Sequence, residues 1–292
     1  PMWQQAEMTF GNTPIDGGHL LMDARELEAL GLSADQASRF TRRIYGSSEF
    51  IRGVPRHCLW ISDEDLAEAT SIPAVRKRVE LVRESRQKGG ATAKEIAFRS
   101  HQFQRMNEGR FQTIVVPGVS SENRPFLPVG LIERGAVPSN KCFALYDAPL
   151  WNMALIASRL HWVWIGTVCV RMRTDFSYSN TLGWNTFPVP LLTEQNKADL
   201  TRCAENILLA REAHFPATIA NLYDPDTMPE NLRQAHEHND EVLERIYIGR
   251  RFKNDTERLE KLFELYTKMT AAEKTKPAAK AGSRKNWRMM RC

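Results

Sequence analysis

The pattern of apolar residues changes at two points of this 292-residue chain, near residues 111 and 190. Between these points, four runs rich in Val, Ile and Phe are separated by Gly, Pro, Ser and Asn, as in strands that are joined by turns. The runs cover residues 113–116, 126–129, 142–145 and 162–170. One clear helix is expected among them, over residues 149–160. The middle of the chain is therefore predicted to be β-rich from about residue 111.

Apolar stripes with helical spacing follow after residue 190. Residues three and four positions apart lie on the same face of a helix, and three segments place their apolar residues in this way. The stripes contain Leu200, Cys203, Ile207 and Ala210; Leu232, Ala235, Val242, Leu243 and Ile246; and Leu259, Leu262, Phe263, Tyr266 and Met269. From the sequence alone, these stripes either pack on one another or dock a partner protein.

The predicted fold class is therefore α+β, with strands and helices in separate parts of the chain. Residues 1–197 are expected to form a domain that is β-rich from about residue 111 and has peripheral helices. Residues 198–272 are expected to form a C-terminal helical region. Residues 273–292, which are rich in Ala, Lys, Gly and Ser, are predicted to be a basic disordered tail.

The net charge does not by itself indicate a nucleic-acid partner. The tail carries seven Lys or Arg residues against the single Glu273, so of the formal charge of +5 the other 272 residues contribute 5 − 6 = −1. A nearly neutral body can bind DNA only through a local basic face. The tail could add affinity for phosphates that does not depend on sequence.

Composition excludes membrane, secreted and zinc-binding classes. Hydrophobic residues make up 42% of the chain, near the globular average, and no apolar run reaches the length of a membrane span. The N-terminal residues lack the features of a signal peptide, so a cytoplasmic protein without a membrane partner is expected. The five cysteines contain no Cys-x-x-Cys pair, which argues against a disulfide framework and a zinc site. No metal ligands are predicted.

No catalytic motif is found in the sequence. A methyltransferase that uses S-adenosylmethionine needs a glycine-rich turn after a buried strand, whereas the glycine pairs at 17–18 and 89–90 are interpreted as simple turns. Asn185 is not followed by the proline that an Asn-Pro-Pro-Tyr loop requires. No Glu-x-Lys triplet of a metal-dependent nuclease occurs. No catalytic residues are therefore predicted, and whether the chain is itself an enzyme stays open.

One segment has the chemistry of a nucleic-acid contact. Residues 169–185, CVRMRTDFSYSNTLGWN, interleave arginines with aromatic, hydroxyl and amide side chains. Arginine can donate two hydrogen bonds to guanine or contact a phosphate, and amides pair with adenine. The composition fits a DNA-contacting strand, and it fits a solvated sheet face equally well.

The same segment resembles a known family. LHWVWIGTVCVRMRTDFSYSNTLGWNTFPVP, residues 160–190, is similar to the hallmark segment of large fused DNA methyltransferases of the MmeI type. Further matches occur in family order from about residue 8 to residue 270. They are FGNTPIDGGHLLM, IYGSSEFIRGVPRHCLW, VPGVSSENRPFLPVGLI, LYDPDTMPENLRQAH and FKNDTERLEKLFELYTKM. The sequence departs from the family pattern at Gly166, Val170 and Asp175.

The resemblance implies the target-recognition and C-terminal part of a class I, S-adenosylmethionine-dependent adenine-N6 DNA methyltransferase of a type IIG restriction–modification system. The catalytic domain would lie upstream in the same polypeptide or in a separate subunit. S-adenosylmethionine would bind there, and no cofactor is expected in this chain. Its partner would be double-stranded DNA, with the β-rich half in the major groove.

The residues that match the family's DNA-binding segments are expected to contact DNA. They are Ser120, Ser121, Glu122, Arg124, Arg171, Arg173, Asp175, Tyr178, Ser179 and Asn180. The alternative function is an interaction module that docks a catalytic methyltransferase subunit through the C-terminal helices. A stand-alone enzyme is the least favoured alternative.

Overall fold

The computed structural model describes residues 3–172 and 175–274. Its N-terminal part mixes short strands and helices. These are β1 (Thr9–Phe10), β2 (Leu21–Met22), α1 (Ala24–Glu28), α2 (Ala34–Phe40), β3 (Thr41–Tyr45), α3 (Ser47–Arg52), β4 (Arg56–Leu59), α4 (Leu66–Ser71), α5 (Pro73–Lys88), α6 (Ala91–Glu95) and a 3-10 turn (Ala97–Arg99). Helices α1 and α2 begin at capping boxes, in which Asp23 and Ser33 accept hydrogen bonds from the backbone N–H groups of Glu26 and Gln36.

Arg86 on α5 connects the loops of this N-terminal part through hydrogen bonds. Its side chain is fully buried, and its guanidinium donates to five backbone carbonyl oxygens at 2.6 to 3.1 Å. The acceptors are Pro14, Ile15, Ile96, Arg99 and Gln102. These carbonyl dipoles replace water around the buried cation, and the charge of the buried Asp16 also favours its protonated form.

The middle of the chain contains most of the longer strands. Its elements are β5 (Thr113–Pro117), β6 (Val119–Ser120), β7 (Gly130–Ile132), β8 (Val137–Pro138), β9 (Cys142–Tyr146), α7 (Trp151–Ile156), α8 (Arg159–Val168), β10 (Arg171–Met172), β11 (Asp175–Ser177) and a π-helical turn (Asn180–Trp184). The described residues form sheets in the orders β1-β9-β5-β7, β10-β11-β6 and β2-β4-β3-β8. Strand β5 is central in the first sheet, where Ile114 lies opposite both Leu145 and Leu131.

Two of the four predicted strands are present as predicted. Residues 113–116 and 142–145 lie in β5 and β9. Residues 126–129 precede β7 and form irregular backbone, although Phe126, Leu127 and Val129 are buried in the core. Burial without strand pairing produces the same apolar run in the sequence, which explains this difference.

The predicted strand over residues 162–170 was wrong, because Arg159–Val168 form the helix α8. Ser158 caps this helix by accepting a hydrogen bond from the backbone N–H of His161. Residues 160–165 are all buried, and a helix that is apolar on every side shows no amphipathic period. The predicted helix over 149–160 is in fact split into α7 and α8.

The C-terminal part is helical, with α9 (Glu194–Glu212), α10 (Ile219–Leu222), α11 (Glu230–Ile248) and α12 (Asp255–Lys274). Helix α9 packs against α7 and α11, and α12 packs against α8. The stripe residues that are buried here are Leu200, Cys203, Ile207, Leu232, Leu243 and Leu262. The stripes therefore pack on one another and on the middle of the chain.

One hydrophobic core joins the middle and the C-terminal parts. It contains Ile114 of β5, Leu155 of α7, Ile165 of α8, Ile207 of α9 and Leu243 of α11. The predicted α+β fold class with C-terminal helices is confirmed. Helix α12 includes the first two residues of the predicted tail, and residues 275–292 lie outside the described residues. In the described ranges, no helix is both long enough and apolar enough to cross a membrane.

Candidate nucleic-acid interface

A three-stranded sheet brings together the two segments in which DNA contacts were predicted. Strand β11 pairs antiparallel with both β10 and β6. Phe176 of β11 lies opposite Arg171 on one side and Ser120 on the other. The strands of this sheet therefore carry Ser120, Arg171 and Asp175, three of the ten predicted contact residues. Arg173 lies outside the described residues.

The β6–β7 loop, residues 121–129, begins with a tight turn. The Ser121 hydroxyl accepts a hydrogen bond from the Asn123 N–H, and the Ser121 carbonyl accepts one from the Arg124 N–H, both at 3.3 Å. Ser121, Glu122 and Arg124 are partly exposed. Ser120, at the end of β6, is 3% exposed, and its hydroxyl has no hydrogen-bond partner among the described residues.

Arg124 has a mixed electrostatic environment. Burial lowers the pKa of its guanidinium, while the nearby carboxylates Asp175 and Asp224 oppose that effect. Asp175 belongs to β11, whereas Asp224 follows α10 in the C-terminal part. Arg124 therefore lies between the small sheet and the C-terminal helices.

Tyr178 is part of the core and not of the surface. It is 5% exposed, and its hydroxyl shares a hydrogen bond of 2.9 Å with Nε2 of His161. The rings of Trp184 and Phe187 contact the other sides of His161, and Phe143 contacts Tyr178. Burial lowers the pKa of His161 to about 3, so its imidazole is neutral at physiological pH. Tyr178 is thus placed to hold the neighbouring residues in position.

Ser179 and Asn180 follow at the surface and are tied to the backbone. The Ser179 hydroxyl accepts a hydrogen bond from the Leu182 N–H at 3.2 Å. The Asn180 side-chain amide donates to the carbonyl oxygen of Met8 at 2.9 Å. Both side chains remain partly exposed. Their positions are therefore defined before any ligand binds.

A cleft of about 420 Å³ lies next to strand β6 and was not predicted from the sequence. Its polar lining includes Ser48, Arg56, Asn140 and Lys141, and Val119 of β6 forms part of its wall. At one side, the Ser47 hydroxyl donates to the carbonyl oxygen of Lys141. In the sequence, three segments that line this cleft resemble the family, but no single residue in them indicated a cleft. These segments are FGNTPIDGGHLLM, IYGSSEFIRGVPRHCLW and VPGVSSENRPFLPVGLI.

Comparisons with known proteins agree with this architecture. The family model described as "MmeI, target recognition domain" matches residues 1–191, and "MmeI, C-terminal domain" matches residues 192–273. The chain belongs to the MmeI family. The resemblance seen in the sequence is thereby confirmed, as is the assignment to the target-recognition and C-terminal parts.

A curated protein and a solved structure are similar to this MmeI-family chain. "DNA methyltransferase A" of Bacillus subtilis (strain 168) is 35% identical over 271 residues, which are 92% of this chain and 31% of that protein. The solved structure of the Type IIL restriction-modification enzyme MmeI in complex with DNA has a TM-score of 0.86 and 31% identity. That match covers 93% of this chain and 36% of the MmeI chain. The chain therefore spans about a third of the length of these relatives.

Within the described residues, strand pairing and glycine positions can be compared with those of a dinucleotide-binding unit. Their strand pairs are antiparallel apart from β3 with β8, and β3 leads through the single Gly46 into the six-residue helix α3. A glycine-rich turn that opens a long helix, as in dinucleotide-binding units, is not found in these ranges. Within the same residues, no group of three His, Cys, Asp or Glu side chains could hold a metal ion.

Proposed function

We propose that this chain selects a specific sequence in double-stranded DNA for an enzyme that methylates adenine at N6. The observation that carries the proposal is the pairing of β6, β11 and β10, which joins the two segments with predicted contact residues in one small sheet. Its antiparallel pair β10–β11 has the form of a two-stranded ribbon, and the major groove of DNA admits such a ribbon. Membership of the MmeI family, one member of which was solved with DNA, supports the same reading.

The ten predicted residues divide into two roles in this proposal. Ser121, Glu122, Arg124, Arg171, Arg173, Asp175, Ser179 and Asn180 contact DNA. Ser120 and Tyr178, which are at most 5% exposed, hold the two segments in place beneath the contacts. Lys141, which is exposed at the cleft beside β6, adds a phosphate contact on the same side.

The remaining chemistry belongs to the rest of the enzyme. The catalytic domain, in the same polypeptide or in a separate subunit, binds S-adenosylmethionine and receives the target adenine after it leaves the base stack. The complete enzyme acts in the cytoplasm as part of a restriction–modification system. This chain contributes the choice of the site.

The test is selection of bound duplexes from a pool with randomised sequence, followed by binding measurements at several salt concentrations. We expect the chain to enrich one sequence. Arg171→Ala and Arg173→Ala should each relax the preference at a base pair and cost about 1 to 3 kcal/mol with the selected duplex. Lys141→Ala should weaken binding to all sequences alike and lower the salt slope by about 1.

A matched control is Arg83→Ala, because Arg83 is an exposed arginine on α5, away from the small sheet. It should leave both the preference and the salt slope unchanged. If the chain binds all duplexes equally, and Arg171→Ala and Arg173→Ala behave like Arg83→Ala, the proposed function is wrong.

A further inference from the structure

A directed chain of hydrogen bonds lies inside the C-terminal part. Nε of Arg211 on α9 donates to the hydroxyl oxygen of Tyr223 at 2.8 Å. Because that oxygen already accepts from a cation, the Tyr223 hydroxyl directs its own proton to Nε2 of His236 on α11, 2.7 Å away. Tyr223 and His236 are both fully buried. Burial and the charge of Arg211 lower the pKa of His236, which agrees with an imidazole that accepts at Nε2.

The His236 end of this series of hydrogen bonds contacts the β6–β7 loop. The ring of Phe126 in the loop stacks on the imidazole of His236, with ring centroids 4.2 Å apart and planes inclined by 13°. Phe126 lies two residues after Arg124, one of the proposed DNA contacts. The stack is a direct contact between that loop and helix α11.

The Arg211 end of the series of hydrogen bonds lies near the other end of the same loop. Gly130, the first residue of β7, leaves space beside its backbone for Arg211, since a Cβ added there would come within 2.8 Å of Nη1 of Arg211. The same Cβ would come within 3.1 Å of the Phe50 ring. Phe126 in the β6–β7 loop thus stacks on His236, Gly130 directly after the loop lies beside Arg211, and Tyr223 links these two side chains.

We propose that Arg211, Tyr223 and His236 are positioning residues, through which the C-terminal helices set the conformation of the β6–β7 loop and hence the DNA sequence that is chosen. This inference rests on the proposed function for its DNA part. Residues 121–129 have no strand partner, and their backbone hydrogen bonds, such as those donated by the Arg124 and Val129 N–H groups, are local, so side-chain contacts fix the loop to the rest of the protein. The C-terminal helices then contribute to recognition of the DNA sequence, although no DNA contact is predicted on them.

The first test is hydrogen exchange on the chain with Tyr223→Phe, which removes only the linking hydroxyl. The matched control is Tyr247→Phe, because Tyr247 is also buried, lies on α11 eleven residues after His236 and donates from its hydroxyl to the carbonyl oxygen of Pro188 at 2.7 Å. Tyr223→Phe should raise exchange at least about tenfold in the β6–β7 loop and leave residues around 188 unchanged. Tyr247→Phe should do the reverse. Equal effects of both variants on the loop would overturn the inference, whatever the DNA results.

The second test measures how well each variant discriminates the selected duplex from a duplex with one changed base pair. Tyr223→Phe and Phe126→Leu should each reduce that ratio by at least about tenfold, while binding to random duplex stays within about twofold. Tyr247→Phe should keep the ratio of the unmodified chain. If the unmodified chain discriminates and Tyr223→Phe discriminates equally, the positioning role is refuted while the proposed function stands. If the unmodified chain does not discriminate, the proposed function itself fails. The hydrogen-exchange experiment then tests by itself whether Tyr223 stabilises the β6–β7 loop.

Discussion

The two segments with proposed DNA contacts are each held by a buried tyrosine–histidine pair, but the pairs are placed differently. In the segment 175–180, Tyr178 is itself a member of the segment and bonds to His161 of α8. In the β6–β7 loop, the pair Tyr223–His236 belongs to the C-terminal helices and reaches the loop through the ring of Phe126. One segment is therefore held by its own side chain, and the other by a neighbouring domain.

The electrostatics of the two pairs differ as well. Burial lowers the pKa of His161, and no ion pair of His161 or Tyr178 is found among the described residues. His236 is also affected by Arg211, whose guanidinium donates to Tyr223 and lies 4.9 Å from the centre of the Tyr223 ring. The first pair is stabilised mainly by packing, and the second by hydrogen bonds to a cation. Packing losses should therefore affect the first pair more, and losses of a hydroxyl the second.

Removal of the histidine rings should give the largest effects. The rings of Tyr178, Trp184 and Phe187 surround His161, so His161→Ala leaves a cavity that should cost about 3 to 5 kcal/mol. His236→Ala should cost less, about 2 to 4 kcal/mol, because two rings among the described residues contact His236, against three for His161. Urea denaturation of both variants measures the difference. A larger loss for His236→Ala would reverse the proposed ranking of packing.

Removal of the tyrosine hydroxyls should reverse the order at a smaller size. Tyr223→Phe leaves both Arg211 and His236 without a partner and should cost about 1 to 3 kcal/mol. Tyr178→Phe leaves only the neutral His161 unpaired, and a loss of about 1 kcal/mol is expected. Denaturation at pH 7.5, with Tyr247→Phe as a control for a hydroxyl bonded to a carbonyl, compares the three. Equal costs for Tyr178→Phe and Tyr223→Phe would argue against a contribution from Arg211.

Acidification should affect both pairs alike. Below about pH 6.5 the unfolded chain binds a proton at His161 and at His236, whereas the folded protein, with both pKa values lowered, does not. Stability therefore falls as the pH drops from 6.5 to 5. Asp240 acts in the opposite direction, because burial raises its pKa to about 7 and the folded protein keeps a proton that the unfolded chain has lost.

The histidines outweigh the one carboxyl, and His57, whose pKa is also lowered by burial, acts in the same direction, so a net loss of stability is expected. Each extra proton that the unfolded chain binds lowers stability by about 1.4 kcal/mol per pH unit once its group is fully titrated. The free energy of unfolding, measured at pH 7, 6 and 5, checks the sign. His161→Phe and His236→Phe should flatten the profile by the same amount, and Asp240→Asn should steepen it. A profile that rises on acidification would show that the folded protein binds protons at these histidines.

Much of the fold could be predicted because its helices show a regular spacing of apolar residues and its strands are bounded by turn residues. The helices α9, α11 and α12 each bury residues of one stripe, among them Leu200, Leu243 and Leu262, so their 3.6-residue period is visible. Strands β5 and β9 are bounded by turn residues. Helix α8 was missed because residues 160–165 are buried on all sides, and the run 126–129 was misread because it is buried without being a strand.

The candidate site was only partly visible in the sequence. The arginines, amides and hydroxyls of residues 120–124 and 171–180 stood out through their chemistry and the resemblance to the MmeI family. The burial of Tyr178 and the cleft beside β6 could not be predicted from the sequence. The local sequence is the same whether an aromatic residue between polar residues faces solvent or the core.

By itself, the sequence determined the α+β class, the family and the segments that carry the polar chemistry, because these depend on local patterns of residue types. Only the tertiary structure decided that β11 joins the two segments in one sheet, and that Phe126 rests on a histidine 110 positions later in the chain. Contacts between distant residues are selected by packing of the whole core, and no short stretch of sequence encodes them.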